Sequence, residues 1–121
     1  MNVVKKLYDS TKWSLAGLRY AYKHELAFRL ELLLAVFLVP VAFYIALDLN
    51  QVLWLLCSLV LVLMIELVNT AIEAAVDRIG HEKHQLSKHA KDAGSAAVFC
   101  ALLIVGIVWG LIIWNNFWLI A

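Results

Sequence analysis

The chain has 121 residues, 64% of them hydrophobic and 16% charged, and its formal net charge is +1. Soluble domains are closer to half apolar, so this composition excludes an ordinary soluble fold, a disordered chain, a coiled coil and a disulfide scaffold. The low net charge argues against a nucleic-acid partner, and one proline with five glycines leaves few turn residues for an all-β fold.

The first predicted element is an amphipathic helix at residues 3–29. Apolar residues recur there at helical spacing among six lysines and arginines, a pattern typical of a helix that lies on a membrane surface. Tyrosine and tryptophan side chains in the segment favour the same depth. A solvated tail is the alternative interpretation. The segment does not fit a cleavable signal peptide, because its basic region is long and the first apolar run begins only at Leu32.

Three apolar stretches follow, and each is predicted to cross the membrane as a helix, which gives an all-α membrane protein. A bilayer core of about 30 Å requires about 20 helical residues, and backbone groups in lipid must bond within their own helix. The predicted segments are a first span at 30–48, a second span at 52–78, a cytoplasmic loop at 79–90 and a third span at 92–116. All of them belong to a single membrane domain, 1–121.

The lysines and arginines are confined to the N-terminal segment and to the region between the second and third spans. Positively charged segments tend to remain in the cytoplasm, so the N-terminus and the second loop are predicted to be cytoplasmic and the C-terminus periplasmic. The protein is therefore expected in the cell inner membrane. Trp109, Trp114 and Trp118 fit an aromatic belt at the far interface.

Three smaller features are predicted in the same way. Cys57 and Cys100 lie in apolar runs and are expected to be buried and reduced. Gly80 is expected to cap the end of the second span, and Ser87 or Asp92 the start of the third.

The second span carries a polar stripe. Five side chains fall within about a third of the helix circumference: Glu66, Asn69, Thr70, Glu73 and Asp77. An ionisable group as deep as Glu66 is costly in a membrane and is a functional candidate for that reason. The alternative is a hydrogen bond that joins two helices, with Asn69 or Thr70 as the bonding group.

The stripe suits phosphoryl transfer to a lipid. Glu66 and Glu73 are separated by about 10.5 Å along the helix axis, too far to share one metal but suitable for two roles. Glu73, at the wet edge, could hold Mg²⁺ together with nucleotide phosphates. Glu66, which lies deeper, could accept a proton from a lipid hydroxyl. Asn69 is one turn from each and could bond either.

Further polar candidates lie outside the stripe. Glu25 and Glu31 flank Arg29, and the alternative role for Glu25 is an i,i+4 ion pair with Arg29. Lys91 could neutralise phosphate charge, although the lysines of this region also follow from membrane topology. The histidines of the loop do not have a convincing zinc spacing. Since no glycine-rich nucleotide loop is present, a nucleotide would have to be held by side chains and metal.

At these residues the chain closely resembles the bacterial integral-membrane diacylglycerol kinase family. The resemblance rests on the stretch ELVNTAIEAAVDRIG at 66–80, on LSKHAKDAGSAA at 86–97, and on Gly17 to Arg19 and Glu25 to Glu31. It covers nearly the whole chain. The related undecaprenol kinases share the Glu/Asn/Glu helix, but residues 77–80 and 94–96 are more similar to the diacylglycerol branch.

The resemblance implies a homotrimer in the bilayer, with active sites that are built from neighbouring subunits at the cytoplasmic interface. It also implies ATP-dependent phosphorylation of diacylglycerol to phosphatidic acid. It implies that Glu66 is the general base supported by Asn69, and that Glu25 and Glu73 hold Mg²⁺. The implied nucleotide contacts are Lys6, Trp13, Glu82, His84, Lys91 and Asp92. The implied lipid-site residues are Arg19, Ala27, Glu31 and Ser95.

The chain departs from the family pattern at three positions. Lys6 stands where the family commonly has arginine, which keeps the charge but loses the planar fork that grips phosphate. Trp13 stands where the family has a tyrosine that can stack on the nucleotide, and Leu30 replaces a polar residue. These departures affect nucleotide contacts and leave the polar stripe intact.

Three alternative functions remain at this stage. The first is an undecaprenol or other lipid-alcohol kinase. The second is a small ion-coupled transporter that uses Glu66 as its carrier site, although the stripe reaches only one face of the membrane. The third is a structural assembly subunit, which would not require Glu25, Lys91 and Asp92 together.

Overall fold

The computed structural model of the chain describes residues 2–120 and shows an all-α protein, as predicted. Its helices are α1 at Val3–His24, α2 at Leu26–Ile45, α3 at Leu49–Ile79 and α4 at Gln85–Ile120. Helices α2 and α3, and α4 as far as Leu119, are each long and apolar enough to cross a membrane, which confirms the three predicted candidate spans. Helix α3 packs along α4 and α2, and α1 lies against α2 and α3.

The helical conformation is interrupted at Glu25, between α1 and α2, four residues before the predicted end of the amphipathic segment. Glu25 has an extended backbone, with φ of −115° and ψ of 106°, and its N–H still donates to the carbonyl oxygen of Ala21. At the other end of α1, the side chain of Asn2 accepts a 3.0 Å hydrogen bond from the N–H of Val4. Residues 26–29 therefore form the first turn of α2 rather than the last turn of α1.

The second predicted span is longer than expected at its start because Asp48 caps it. The carboxylate of Asp48 accepts a 2.8 Å hydrogen bond from the N–H of Gln51, a typical N-cap arrangement that starts α3 at Leu49. Gly80 follows the last helical residue, Ile79, which confirms the predicted C-cap.

Helix α4 begins seven residues before the predicted third span, so the connection spans only residues 80–84. The ring nitrogen Nδ1 of His84 accepts a 3.1 Å hydrogen bond from the N–H of Leu86 and satisfies one of the free donors of the first turn. The prediction that Ser87 or Asp92 caps this helix was wrong, since both lie inside it.

The core of the bundle lies where α2, α3 and α4 meet. Small residues on α2 allow close approach of the helices, and larger side chains from α3 and α4 fill the space. The buried core residues are Ala35, Ala42, Leu55, Leu59 and Trp109. The indole N–H of Trp109 donates a 3.1 Å hydrogen bond to the hydroxyl of Ser58. Trp109 is thus a core residue, not a member of the aromatic belt; only Trp114 and Trp118 are exposed as a belt requires.

A polar clasp, formed by the side chains of Gln51 and Asn116 and the carbonyl oxygen of Ile45, joins all three long helices at one end of the bundle. The amide groups of Gln51 and Asn116 exchange two hydrogen bonds of 2.9 and 3.1 Å. Asn116 also donates to the carbonyl oxygen of Ile45 at 2.7 Å. This carbonyl is one of the last of α2, and such groups lack partners within their own helix.

Cys57 and Cys100 are free thiols, but both are exposed on the surface of the chain. The expectation of burial was wrong because a bundle of three long helices turns much of its apolar surface outward. Large side chains such as Phe37, Leu53 and Ile107 are more than half exposed in the same way. These faces are suited to contact with lipid or with another apolar helix.

Candidate active site

The polar stripe is buried in the protein at its Glu66 end and exposed at its Asp77 end. Glu66, Asn69 and Thr70 are 5%, 9% and 7% exposed, whereas Glu73 is half-buried and Asp77 is exposed. The Thr70 hydroxyl donates to the carbonyl oxygen of Glu66 in its own helix, at 3.0 Å. Thr70 therefore has its partner within α3, and the two carboxylates with Asn69 remain as the groups available for chemistry.

Glu66 lies beside a second carboxyl group from α2. The side chains of Glu31 and Glu66 are close enough to form a hydrogen bond when one of them carries a proton. Within the described residues, the Oε2 atom of Glu31 is buried and has no hydrogen-bond partner. Two acidic groups in contact, with a free oxygen between the helices, can take up and pass on a single proton.

Glu73 accepts a hydrogen bond from Asn69 and lies close to the carboxyl group of Glu25. The Nδ2 group of Asn69 donates a 3.3 Å hydrogen bond to Oε1 of Glu73. Burial, the negative charge of Glu73 and a hydrogen bond to Glu73 raise the pKa of the Glu25 carboxyl group, and nearby His24 opposes this shift. The two carboxyl groups thus form a close pair on different parts of the chain.

Arg29 does not neutralise Glu25, so the alternative of an i,i+4 ion pair is wrong. Its guanidinium group instead donates to the carbonyl oxygen of Tyr22 at 3.3 Å and lies 5.8 Å from the centre of the Tyr22 ring. Among residues 2–120, neither Glu25 nor Glu73 forms an ion pair with a lysine or arginine.

The pair formed by Glu25 and Glu73 fits a divalent cation that brings other ligands with it. Mg²⁺ in phosphoryl-transfer sites is commonly bound by one or two carboxylates plus substrate phosphates and water. Residues 2–120 contain no group of three or more His, Cys, Asp or Glu side chains placed to hold a metal. The donor set suits a metal that arrives with a phosphate ligand better than a permanently bound structural metal.

A cleft of about 720 Å³ lies around the connection between α3 and α4. Four of the residues predicted to bind a nucleotide line this cleft, which we call the loop cleft: Glu82 and His84 from the connection, and Lys91 and Asp92 from α4. Within it Lys91 pairs with Asp77 at 2.8 Å. Because Nδ1 of His84 caps α4, only its Nε2 atom is available to a ligand.

A second, mainly apolar groove of about 490 Å³ lies between α1 and α3. We call it the α1–α3 groove. Its lining residues are Ser14, Gly17, Leu18 and Tyr20 from α1 and Leu67, Thr70, Ala71 and Ala74 from α3. The α3 residues of the groove lie on the same stretch of helix as the polar stripe and share Thr70 with it, so an apolar molecule in the groove would lie close to the acidic groups.

The remaining predicted site residues are exposed and line neither space. These residues are Lys6, Trp13 and Arg19 on α1, Ala27 on α2 and Ser95 on α4. In a single chain the structure does not bring them to the loop cleft. The sequence analysis included Gly94 in a stretch that carries the family resemblance but gave it no role; the structure buries it against Asn69.

Comparison with known proteins identifies the family of the chain. Residues 12–113 match the family model described as prokaryotic diacylglycerol kinase. The chain is 52% identical over 104 residues to a diacylglycerol kinase from Haemophilus influenzae, a match that covers 86% of this chain and 88% of the relative. It is 44% identical over 110 residues to one from Pseudomonas aeruginosa, with coverage of 91% and 89%.

A third relative is the diacylglycerol kinase of Escherichia coli K12, which is 40% identical over 112 residues, or 93% of this chain and 92% of the relative. The matched residues include the polar stripe, the loop cleft and most of every helix. The chain is therefore an enzyme of the prokaryotic diacylglycerol kinase family.

Proposed function

We propose that the protein transfers the γ-phosphoryl group of ATP to diacylglycerol and forms phosphatidic acid at the cytoplasmic face of the inner membrane. The observation that carries this proposal is that buried Glu66 lies on the same face of α3 as Glu73, about two helical turns away, and that Glu73 is paired with Glu25. A lipid hydroxyl reaches the deep carboxylate from the membrane, and a polyphosphate reaches the shallow pair from water.

Glu66 acts as the general base. Its carboxylate removes the proton from the primary hydroxyl of the lipid, and the hydroxyl oxygen forms a bond to the γ-phosphorus as the bond to the bridging oxygen of ADP breaks. The proton is then held on the Glu66–Glu31 pair. The contact between these two side chains and the free Oε2 atom of Glu31 support this role.

Glu25 and Glu73 would hold Mg²⁺, which supplies positive charge to the phosphate oxygens when it is bound. Asn69 contributes by orienting Glu73, since its amide group donates to one of the two carboxylate oxygens. That bond leaves the second oxygen of Glu73 free to face Glu25 and the cation.

The nucleotide is proposed to occupy the loop cleft. Lys91 contacts its phosphates, and Glu82, His84 and Asp92 contact the rest of the molecule; all of them line one space of suitable size. Lys6 and Trp13 complete the nucleotide site from α1 of a neighbouring subunit in a homotrimer. Neither residue lines the loop cleft of its own chain, which supports a contribution from a second subunit.

The lipid substrate is proposed to enter by the α1–α3 groove. The apolar lining of Leu18, Leu67 and Ala71 suits an acyl chain, and Ser14 and Thr70 provide hydroxyl groups near the polar stripe. Arg19, Ala27, Glu31 and Ser95 are proposed to contact the glycerol end or to frame the site.

A phosphotransfer assay in mixed micelles tests the proposed reaction. Purified protein is given labelled ATP and Mg²⁺ with either diacylglycerol or undecaprenol, and the labelled lipid is separated and counted. We expect phosphatidic acid from diacylglycerol and little product from undecaprenol. Preferential phosphorylation of undecaprenol, or hydrolysis of ATP without a lipid product, would overturn the substrate assignment.

A further inference from the structure

Gly94 on α4 is buried directly against the side chain of Asn69 on α3. A Cβ atom at position 94 would overlap Oδ1 of Asn69 and would lie 3.2 Å from its Cγ atom. The other glycines of α4 differ in this respect, since a Cβ at Gly106 or Gly110 would have no neighbour within 4 Å. The missing side chain at position 94 is therefore required by one specific contact and not by the helix in general.

The contact sets the orientation of the Asn69 amide. Its Oδ1 atom is buried and has no hydrogen-bond partner among the described residues, whereas its Nδ2 group donates to Glu73. Burying an amide oxygen without a hydrogen-bond donor costs free energy, so the oxygen is least unfavourable where it does not face another acceptor. The bare backbone of Gly94 provides that place, with only a weak C–H contact available to the oxygen.

The reverse orientation of the amide would be unfavourable for Glu73. It would place the Asn69 oxygen against a carboxylate oxygen, two acceptors in contact with no proton between them. Filling the space at position 94 would push the oxygen out of its seat and favour a different rotamer. The N–H donated to Glu73 would then be lost or redirected.

We propose that Gly94 is a positioning residue: the space it leaves seats the oxygen of Asn69, which aims the Asn69 N–H at Glu73 and fixes that carboxylate for a divalent cation. Gly94 acts only through Asn69 and touches no substrate. The inference rests on the metal-binding role of Glu73 in the proposed function, and it adds a determinant on α4 to a site whose acidic groups lie on α2, α3 and the residue that precedes α2.

The test compares Gly94→Ala with the matched variant Gly106→Ala, which makes the same change in the same helix where space is open. Both variants are prepared as the full chain in detergent with a saturating non-hydrolysable ATP analogue and titrated with Mn²⁺. Protein-bound Mn²⁺ is measured by electron paramagnetic resonance against the same titration of the analogue without protein. We expect Gly94→Ala to weaken Mn²⁺ binding by about tenfold or more, a common cost of losing a group that orients a metal ligand, and Gly106→Ala to leave it unchanged.

A second background isolates the route through Asn69. In protein that carries Asn69→Ala, the clashing oxygen and the donated N–H are both absent, so Gly94→Ala should cause no further loss of Mn²⁺ binding. An equal additional loss in that background would show that Gly94 acts by another route and would overturn the inference.

Folding defects are distinguished by the same set of variants. If Gly94→Ala alone fails to fold while Asn69→Ala/Gly94→Ala folds, the overlap with Asn69 is the cause, as proposed; if both fail, the inference is wrong. A further variant, Glu73→Gln, tests the proposed function separately from the role of Gly94. Unchanged Mn²⁺ binding in Glu73→Gln contradicts the proposed function itself, whereas loss in Glu73→Gln with none in Gly94→Ala contradicts only the role of Gly94.

Discussion

The Nζ atom of Lys91 lies 2.8 Å from Oδ1 of Asp77, so an ion pair joins the end of α3 to the first turns of α4. A second pair connects Lys88 and Asp92 at 2.7 Å. All four side chains are substantially exposed, and exposed pairs of this kind add little to stability. Their main effect is to place two lysines and two carboxylates around the loop cleft, where a nucleotide would compete for the lysines.

Replacing Lys91 should weaken nucleotide binding. A hydrogen bond to a charged group is worth about 1.5–3 kcal/mol, so we expect Lys91→Gln to raise the KM for ATP by about tenfold or more. Steady-state kinetics with varied ATP provide the measurement. Lys23→Gln, which changes an exposed lysine of α1 outside the loop cleft, serves as the control. An unchanged KM in Lys91→Gln would remove this residue from the nucleotide site.

Glu66→Gln should remove most of the lipid phosphorylation. The amide keeps the size of the side chain but cannot accept the hydroxyl proton, and loss of a general base typically costs about 10²–10⁴ in rate. The rate of labelled-lipid formation is the measurement. Asp48→Asn makes the same acid-to-amide change at the far end of α3 and keeps an N-cap acceptor, so it should retain activity. Full turnover by Glu66→Gln would contradict the base assignment.

Glu73→Gln should change the metal dependence of the reaction. With one carboxylate lost from the pair, we expect the Mg²⁺ concentration for half-maximal rate to rise by about tenfold or activity to disappear. Initial rates across a range of Mg²⁺ at saturating ATP and lipid provide the measurement. If the Mg²⁺ requirement stays the same, Glu73 does not hold the cation.

The metal requirement should also depend on pH through Glu25. Burial and the charge of Glu73 raise the pKa of Glu25, so this group stays protonated to a higher pH than an ordinary glutamic acid. Protons and Mg²⁺ compete for it; the Mg²⁺ requirement should therefore rise as the pH falls through the raised pKa and decline as the pH increases.

Glu25→Gln checks the source of that pH dependence. The amide cannot be protonated in this range, so the variant should need more Mg²⁺ at high pH and show a flatter dependence on pH than the unmodified protein. Mn²⁺ titrations at a series of pH values measure both effects. A slope identical to that of the unmodified chain would assign the dependence to another group.

Trp109→Phe should destabilise the bundle. The change leaves the hydroxyl of Ser58 without the indole donor and removes part of a buried ring. Hydrogen bonds between membrane helices average about 0.6 kcal/mol, and the lost ring volume adds to this, so we expect a decrease of about 1–3 kcal/mol in the free energy of unfolding. Unfolding by denaturing detergent, followed by circular dichroism, measures it.

A double-mutant cycle with Ser58→Ala separates the hydrogen bond from the packing. If the bond matters, the combined variant should lose less stability than the sum of the single changes. Strict additivity would indicate that Trp109 stabilises the bundle by packing alone.

The fold was largely predictable because membrane helices must satisfy their own backbone groups. Apolar length alone gives the three long helices, and their all-α character follows. The helix ends were less predictable, since they depend on single side chains such as Asp48 and His84 whose capping bonds are formed only in the folded chain. Glu25 carries no glycine or proline signal, so nothing in the periodicity marked the break there.

The candidate site was predictable to the extent that it lies on one helix. Residues at three- and four-residue spacing on α3 share a face by helix geometry, so the polar stripe was visible in the sequence. Contacts between helices were not: the Glu31–Glu66 contact, the Lys91–Asp77 pair and the seat of Asn69 against Gly94 depend on how α2 and α4 pack against α3. Trp109 was misplaced for the same reason, because exposure on a membrane helix depends on its neighbours.

Glu25 is at once the only residue between α1 and α2 and the partner of Glu73. Because Glu25 itself joins the two helices, a change in the angle between α1 and α2 would move its carboxyl group toward or away from α3. The orientation of α1 is therefore mechanically linked to the acidic pair. Since α1 is predicted to lie on the membrane surface, a change in its depth in the bilayer would be expected to alter the spacing of the two carboxylates.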